Sequence, residues 1–124
     1  MKVAIPLFHC WVSPHFGYAQ EILVATRSEG GEWRREKLCC GMMEPQERIN
    51  LLFNLGVDTL VCGGINGHLQ HYLEARGMRV LAGVMGEAEE ALRMLQDGRL
   101  VPGAMLRGCG RARRWHHGPP WLWG

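Results

Sequence analysis

The sequence predicts an α/β domain: a five-stranded mixed sheet in the order 3-2-1-4-5, flanked by helices. Three observations carry this expectation. The first third of the chain alternates short strand-like runs with turn residues, as an antiparallel meander does. From there to about residue 101, segments of helical spacing alternate with short apolar runs. One unit also occurs twice, as Leu55-Gly56-Val57-Asp58-Thr59-Leu60-Val61 and Arg76-Gly77-Met78-Arg79-Val80-Leu81-Ala82: helix end, glycine, apolar residue, strand. Such alternation gives parallel strands joined by right-handed crossovers.

Each element has its own reason. Val3-Ala4-Ile5 is a short apolar run, and Pro6, which cannot donate to a ladder, is expected to end it. Leu7 to Ala19 carries Pro, Gly, Ser and His and reads as a long loop. A second strand covers roughly Glu21 to Thr26, and Ser28-Glu29-Gly30-Gly31 turns the chain into a third near Trp33 to Cys39. Arg34, Arg35, Glu36 and Lys37 suit a solvated edge strand, where charge discourages unwanted pairing. Pro45 opens a helix with Ile49, Leu52 and Phe53 on one face, and Gly56 ends it. Thr59-Leu60-Val61-Cys62 is a strand apolar enough to be buried on both faces. Asn66 caps a second helix, with Leu69, Tyr72 and Leu73 inward and Gly77 at its end. Arg79 to Ala82 is the next strand. A third helix spans Glu87 to Gln96 with Ala88, Ala91, Leu92 and Leu95 inward. The expected domain is therefore 1–101, with an irregular tail over 102–124.

Composition narrows the class. With 124 residues, 47% apolar and 21% charged, the chain has the makings of one globular core. A net charge of +2 argues for no nucleic-acid partner, and the basic cluster Arg107, Arg111, Arg113 and Arg114 reads as a solvated tail. No stretch reaches the ~20 apolar residues of a membrane span, and the start does not read as a signal peptide. Five cysteines fit no secreted disulfide framework, so the expected setting is a reduced cytoplasm with thiols free for metal.

In open α/β sheets, ligands bind beyond the carboxyl ends of the strands, where connections diverge. Here that crevice falls between strands one and four. Strand one delivers His9, Cys10 and the loop through His15. Strand four delivers Cys62, the Gly63-Gly64 turn and, in the first turn of the second helix, His68. Thiolate and imidazole thus converge from separated parts of the chain, a donor set suited to iron–sulfur, zinc or copper. The candidate metal ligands are His15, Cys62, Cys10 and His9, with Gly63, Gly64 and His68 added for cofactor binding. A glycine turn at a helix amino end also attracts anions, and many metal–sulfur clusters are anionic. His71 shares a face with His68 but reads equally as a solvated residue. Cys39 and Cys40 point to opposite faces of a strand and cannot serve one site there. Met42, Met43, Met85, Met94 and Met105 read as core filler. Cys109 with His116-His117 supports no more than a weak surface metal site, and Trp121 and Trp123 could pack on a neighbour.

Several of these segments together resemble the dinitrogenase iron–molybdenum cofactor biosynthesis family (NifX-type proteins and the NifB carboxyl-terminal domain). They are Met1-Lys2-Val3-Ala4-Ile5-Pro6, Ser13-Pro14-His15-Phe16-Gly17, Gly56 to Ile65, Glu74 to Val80 and Glu89-Glu90-Ala91-Leu92. The resemblance implies a ribonuclease-H-like fold and a non-catalytic role in nitrogen fixation. That role is binding, storage or transfer of an iron–molybdenum cofactor, its precursor or a related metal–sulfur cluster, between donor and acceptor proteins. Leu7-Phe8-His9-Cys10-Trp11 departs from the usually polar or acidic loop of that family.

Other functions fare less well. A two-metal nuclease needs clustered carboxylates, and strand one has none while strand four begins rather than ends with Asp58. A thiol redox enzyme lacks the Cys-x-x-Cys pattern. The alternative that remains is a binding or regulatory module for a single metal ion or small anion in the same crevice. Oligomeric state is not legible.

Overall fold

The structure, a computed structural model, describes residues 1–106. Its centre is strand β1 (Lys2–Phe8), which pairs antiparallel with β3 (Glu21–Arg27) and parallel with β5 (Thr59–Val61). Strand β4 (Trp33–Cys39) flanks β3, and β6 (Arg79–Leu81) flanks β5, so the sheet is mixed and runs β4-β3-β1-β5-β6. A two-residue strand β2 (Trp11–Val12) folds back on the end of β1. Helices α1 (Pro45–Asn54) and α2 (Gly67–Ala75) cover one face, and α3 (Ala88–Gln96) covers the other.

The two-residue period of the strands divides the core. Val3, Ile5 and Leu7 join Leu23, Ala25, Val61 and Leu81 beneath Ala88, Ala91, Leu92 and Leu95 of α3. Ala4, Ile22, Val24, Leu60, Cys62 and Val80 face the opposite way, onto Ile49 and Leu52 of α1 and Leu73 of α2. Fully burying each of the Val, Leu and Ile side chains here contributes about 1.5–3 kcal/mol, so both layers matter to stability. Each helix ends in the same way. At α1, Gly56 adopts φ +77° and donates to the carbonyl of Phe53, while Val57 donates to that of Leu52 and buries its side chain. The repeated sequence unit is thus a repeated helix stop, which returns the chain to the sheet at β5 and β6.

Four expectations are corrected. Pro6 does not end the first strand; it lies inside β1, opposite Ile22. Its carbonyl accepts from Ser13 N–H at 2.7 Å, on the side away from β3. In a strand the N and O of one residue point the same way, so the missing N–H of Pro6 removes no bond from the β3 ladder. The stretch from Leu7 to Ala19 is accordingly no long loop but the end of β1, a two-residue turn at His9-Cys10, β2 and a 3-10 turn over Phe16–Tyr18. Tyr72 is not a core residue; it is partly exposed and its hydroxyl accepts from Arg76 at 2.7 Å. Met42 and Met105 are exposed rather than packed inside.

Beyond α3 the chain stays attached as far as it is described. Gly103 donates to Ala82, Met85 to Ala104 and Leu106 to Met85, and Ala104 and Leu106 pack on the α3-side core. The residues Arg107, Cys109, Arg111, Arg113, Arg114, His116, His117, Trp121 and Trp123 lie outside the described residues. No helix among the described residues is long and apolar enough to cross a membrane.

Candidate functional site

The parallel pair β1–β5 is where the sheet changes direction, and the chain after each strand crosses the same end. After β2, Ser13-Pro14-His15 runs alongside Gly63-Gly64. Gly63 donates to the Ser13 carbonyl at 3.1 Å, Gly64 to the Pro14 carbonyl at 2.5 Å, and Phe16 to the Gly64 carbonyl at 2.9 Å. Ser13 is buried and closes the turn: its hydroxyl donates to the His15 carbonyl at 3.0 Å. The close approach explains both glycines. A Cβ at Gly63 would stand 2.5 Å from the Ser13 oxygen, and one at Gly64 would stand 2.7 Å from the Pro14 oxygen.

Phe16 then plugs the α1/α2 core while His15, Gly17 and Tyr18 stay exposed. The rings of His15 and Tyr18 meet edge to face, with centroids 5.7 Å apart. They stand on the rim of a hollow of about 530 Å³ lined by His15, Phe16, Gly17, Tyr18, Pro45, Gly64, Ile65, Asn66 and Leu69. Two helices open onto it by their amino ends, α1 through Pro45 and α2 through Asn66. At α1 the end is closed by a Glu44–Glu47 capping box. At α2 the Asn66 side chain accepts from His68 N–H at 2.8 Å, and no carboxylate occupies the first turn. The α2 end therefore keeps its partial positive charge facing the hollow.

Of the sequence candidates, the structure brings His15 and Gly64 to this hollow. Cys62 lies at the end of β5 but is fully buried in the α1/α2 core, where desolvation pushes its thiol up to about 12. It packs as a small apolar group and offers no thiolate at neutral pH. The Gly63 and Gly64 amides, expected to face a ligand, are spent on the Ser13 and Pro14 carbonyls. His9 and Cys10 lie elsewhere, because the tight turn between β1 and β2 carries them to the α3 side. There they line a second hollow of about 280 Å³ with Leu7, Leu23, Arg35, Lys37, Ala88 and Glu89. Cys10 is disulfide-bonded, so the expectation that every thiol is free does not hold; among the described residues the free ones are Cys39, Cys40 and Cys62. His68 and His71 are exposed on α2 and do not line the larger hollow. Among the described residues, no group of three or more His, Cys, Asp or Glu side chains is placed to hold a metal ion.

Arg48 is a residue of this region that the sequence pattern does not single out. It is 2% exposed in α1, and its guanidinium donates to the carbonyls of Met43, Phe16 and Ala19, the last at 2.7 Å. The sequence signal was present: Arg48 stands one turn before Leu52, on the apolar stripe. An arginine there reads by default as a flanking solvated residue.

These features define a class: a small α/β domain with one imidazole and a helix amino end at the switch point of a mixed sheet. The sequence profile of the family described as "Dinitrogenase iron-molybdenum cofactor" matches residues 1–98, and the chain belongs to that family. Solved structures agree on the fold. PH0822 aligns with a TM-score of 0.71 at 23% identity, covering 81% of this chain and 94% of that one. A presumed dinitrogenase from Methanocaldococcus jannaschii aligns with a TM-score of 0.65 at 15% identity, over 81% of this chain and 91% of that one. A presumed NifB protein from Thermotoga gives 0.61 at 22% identity, over 88% and 98%. No curated protein sequence matches the chain.

Proposed function

We propose that this protein is a non-catalytic carrier that binds and hands on an iron–molybdenum-type cluster, a precursor of it or a related metal–sulfur cluster. The cluster is its cargo, received from a donor protein and passed to an acceptor. The fold is read as ribonuclease-H-like. The observation that carries the proposal is the hollow at His15, where, among the described residues, one exposed imidazole sits beside the uncompensated amino end of α2. An anionic cluster would find there one exchangeable ligand and a favourable field. A site with three or four fixed thiolates would hold a cluster permanently; one imidazole suits a cargo that must leave. Family membership supports the cluster class.

Anaerobic titration with isolated iron–molybdenum cofactor, followed by iron, molybdenum and sulfide analysis of the desalted protein, tests this. Stoichiometric retention in the wild type, lost in His15→Ala and kept in Cys62→Ala, is the expected result. Equal retention in wild type and His15→Ala would remove His15 from the site. A colourless protein that takes up one zinc ion and no cluster would favour the single-ion module instead.

A further inference from the structure

Arg48 is a buried charge without a counter-charge among the described residues. Its partners are three backbone carbonyls and the Cys40 sulfur, 3.3 Å from Nη1. Burial pushes the Cys40 thiol up, and although Arg48 pulls the other way the thiol stays neutral at ordinary pH. The ion pairs among the described residues are Arg35–Glu89, Arg93–Glu90, Arg93–Asp97 and Arg99–Asp97, and none includes Arg48. A fully buried arginine is rare unless paired, and carbonyl dipoles offset only part of its desolvation.

The position of the charge relates that cost to the hollow. Arg48 is not among the lining residues but is hydrogen-bonded to one of them. It holds the carbonyl of Phe16, a wall residue, at 3.2 Å, and it lies on α1 three positions after Pro45, another wall residue. Because Arg48 is buried (2% exposed), it projects a field less screened by water than that of a surface charge. The same side chain ties Phe16 and Ala19 together and so fixes the turn that presents His15 and Tyr18.

We propose that Arg48 is the pocket's built-in counter-charge, a positioning and specificity residue that sets the His15–Tyr18 turn and makes the hollow select a compact multivalent anion over a cation. This rests on the hollow being the binding site and adds the charge class of what enters it.

Tetrathiomolybdate, a dianion of molybdenum and sulfur, is the probe, titrated anaerobically with ferrous iron as the cationic control. Wild type should bind the dianion, with Arg48→Gln about tenfold weaker, the scale of one partly screened charge. Arg48→Lys should restore most of the loss, and ferrous binding should not weaken in either variant. Unchanged dianion binding in Arg48→Gln would overturn the proposal. So would an equal loss of both probes, or an equal loss in the Gln and Lys variants, since each marks a residue that only holds the turn. Should Arg48→Gln not fold, the wild type decides: tetrathiomolybdate must raise its thermal midpoint beyond sodium chloride of equal ionic strength, and no such rise overturns the assignment. Dianion binding that needs Arg48, in a protein that never retains the cofactor, would leave this inference standing and remove the carrier reading. Cofactor retention unaffected by Arg48→Gln would do the reverse.

Discussion

His15 and Gly64 run side by side as a parallel bridge, with Gly64 donating to the carbonyl before His15 and accepting from the amide after it, at 2.5 and 2.9 Å. The His15 loop is thereby an extension of the sheet, and its neighbours Gly63 and Gly64 must be glycine. Gly63→Ala would drive a methyl group to 2.5 Å from the Ser13 oxygen and 2.8 Å from the Pro14 Cα, both backbone atoms that cannot step aside. Denaturant unfolding should show a loss of about 1–3 kcal/mol, as for other overpacked sites. Gly67, whose Cβ would meet nothing within 4 Å, is the control: Gly67→Ala should stabilise the protein by about 0.4–1 kcal/mol.

Cys62 makes a prediction about alkaline pH. Its thiol is raised from 9.0 to about 12 by burial alone. Below pH 9 both folded and unfolded chains hold the proton; between 9 and 12 only the folded one does. Stability is therefore fully present below the unfolded value and falls as pH rises through that window, by at most about 1.4 kcal/mol per unit for this group. The difference in unfolding free energy between wild type and Cys62→Val should narrow across the window. A constant difference would show that the thiol is solvated.

Asn66 separates cap from charge. Asn66→Ala removes the acceptor for His68 N–H and should cost about 1 kcal/mol of stability by thermal unfolding. Asn66→Asp keeps the cap and should keep that stability, yet it places a carboxylate on the wall of the hollow. Retention of an anionic cluster should then fall in the Asp variant despite its sound fold; unaltered retention would argue against an anionic cargo.

His9 has φ +56°, a backbone conformation that a side chain disfavours, in the turn between β1 and β2. His9→Gly should stabilise the domain by several tenths of a kcal/mol, measurable in the denaturant midpoint. Cluster retention should be unchanged, since His9 lies on the α3 side.

The sequence made the periodic parts legible. Ile49 and Leu52, Ala88 to Leu95, the Asn66 cap and the glycine stops at 56, 77 and 98 each leave a local pattern, because their causes are local. Pro6 misled because its effect depends on which neighbour its nitrogen faces, a tertiary fact. His15 could be placed because the switch-point rule locates the end of strand one. That Cys62 is buried and Cys10 disulfide-bonded could not be read from residue type, since burial depth and disulfide bonding are decided by the whole fold. Arg48 stayed hidden for the same reason: a charged residue on an apolar stripe looks like an exception until the carbonyls that receive it are seen.

The three backbone bonds between residues 13–16 and 63–64 have one more consequence. A loop already laced to a central strand has few conformations left to lose, whereas ordering a free residue costs roughly 1–2 kcal/mol in backbone entropy. The rim that carries His15 is therefore preorganised, and a guest arriving there need not spend its binding energy on building the site. On the proposed function, weak attachment through His15 can then coexist with a fixed geometry for the exchange.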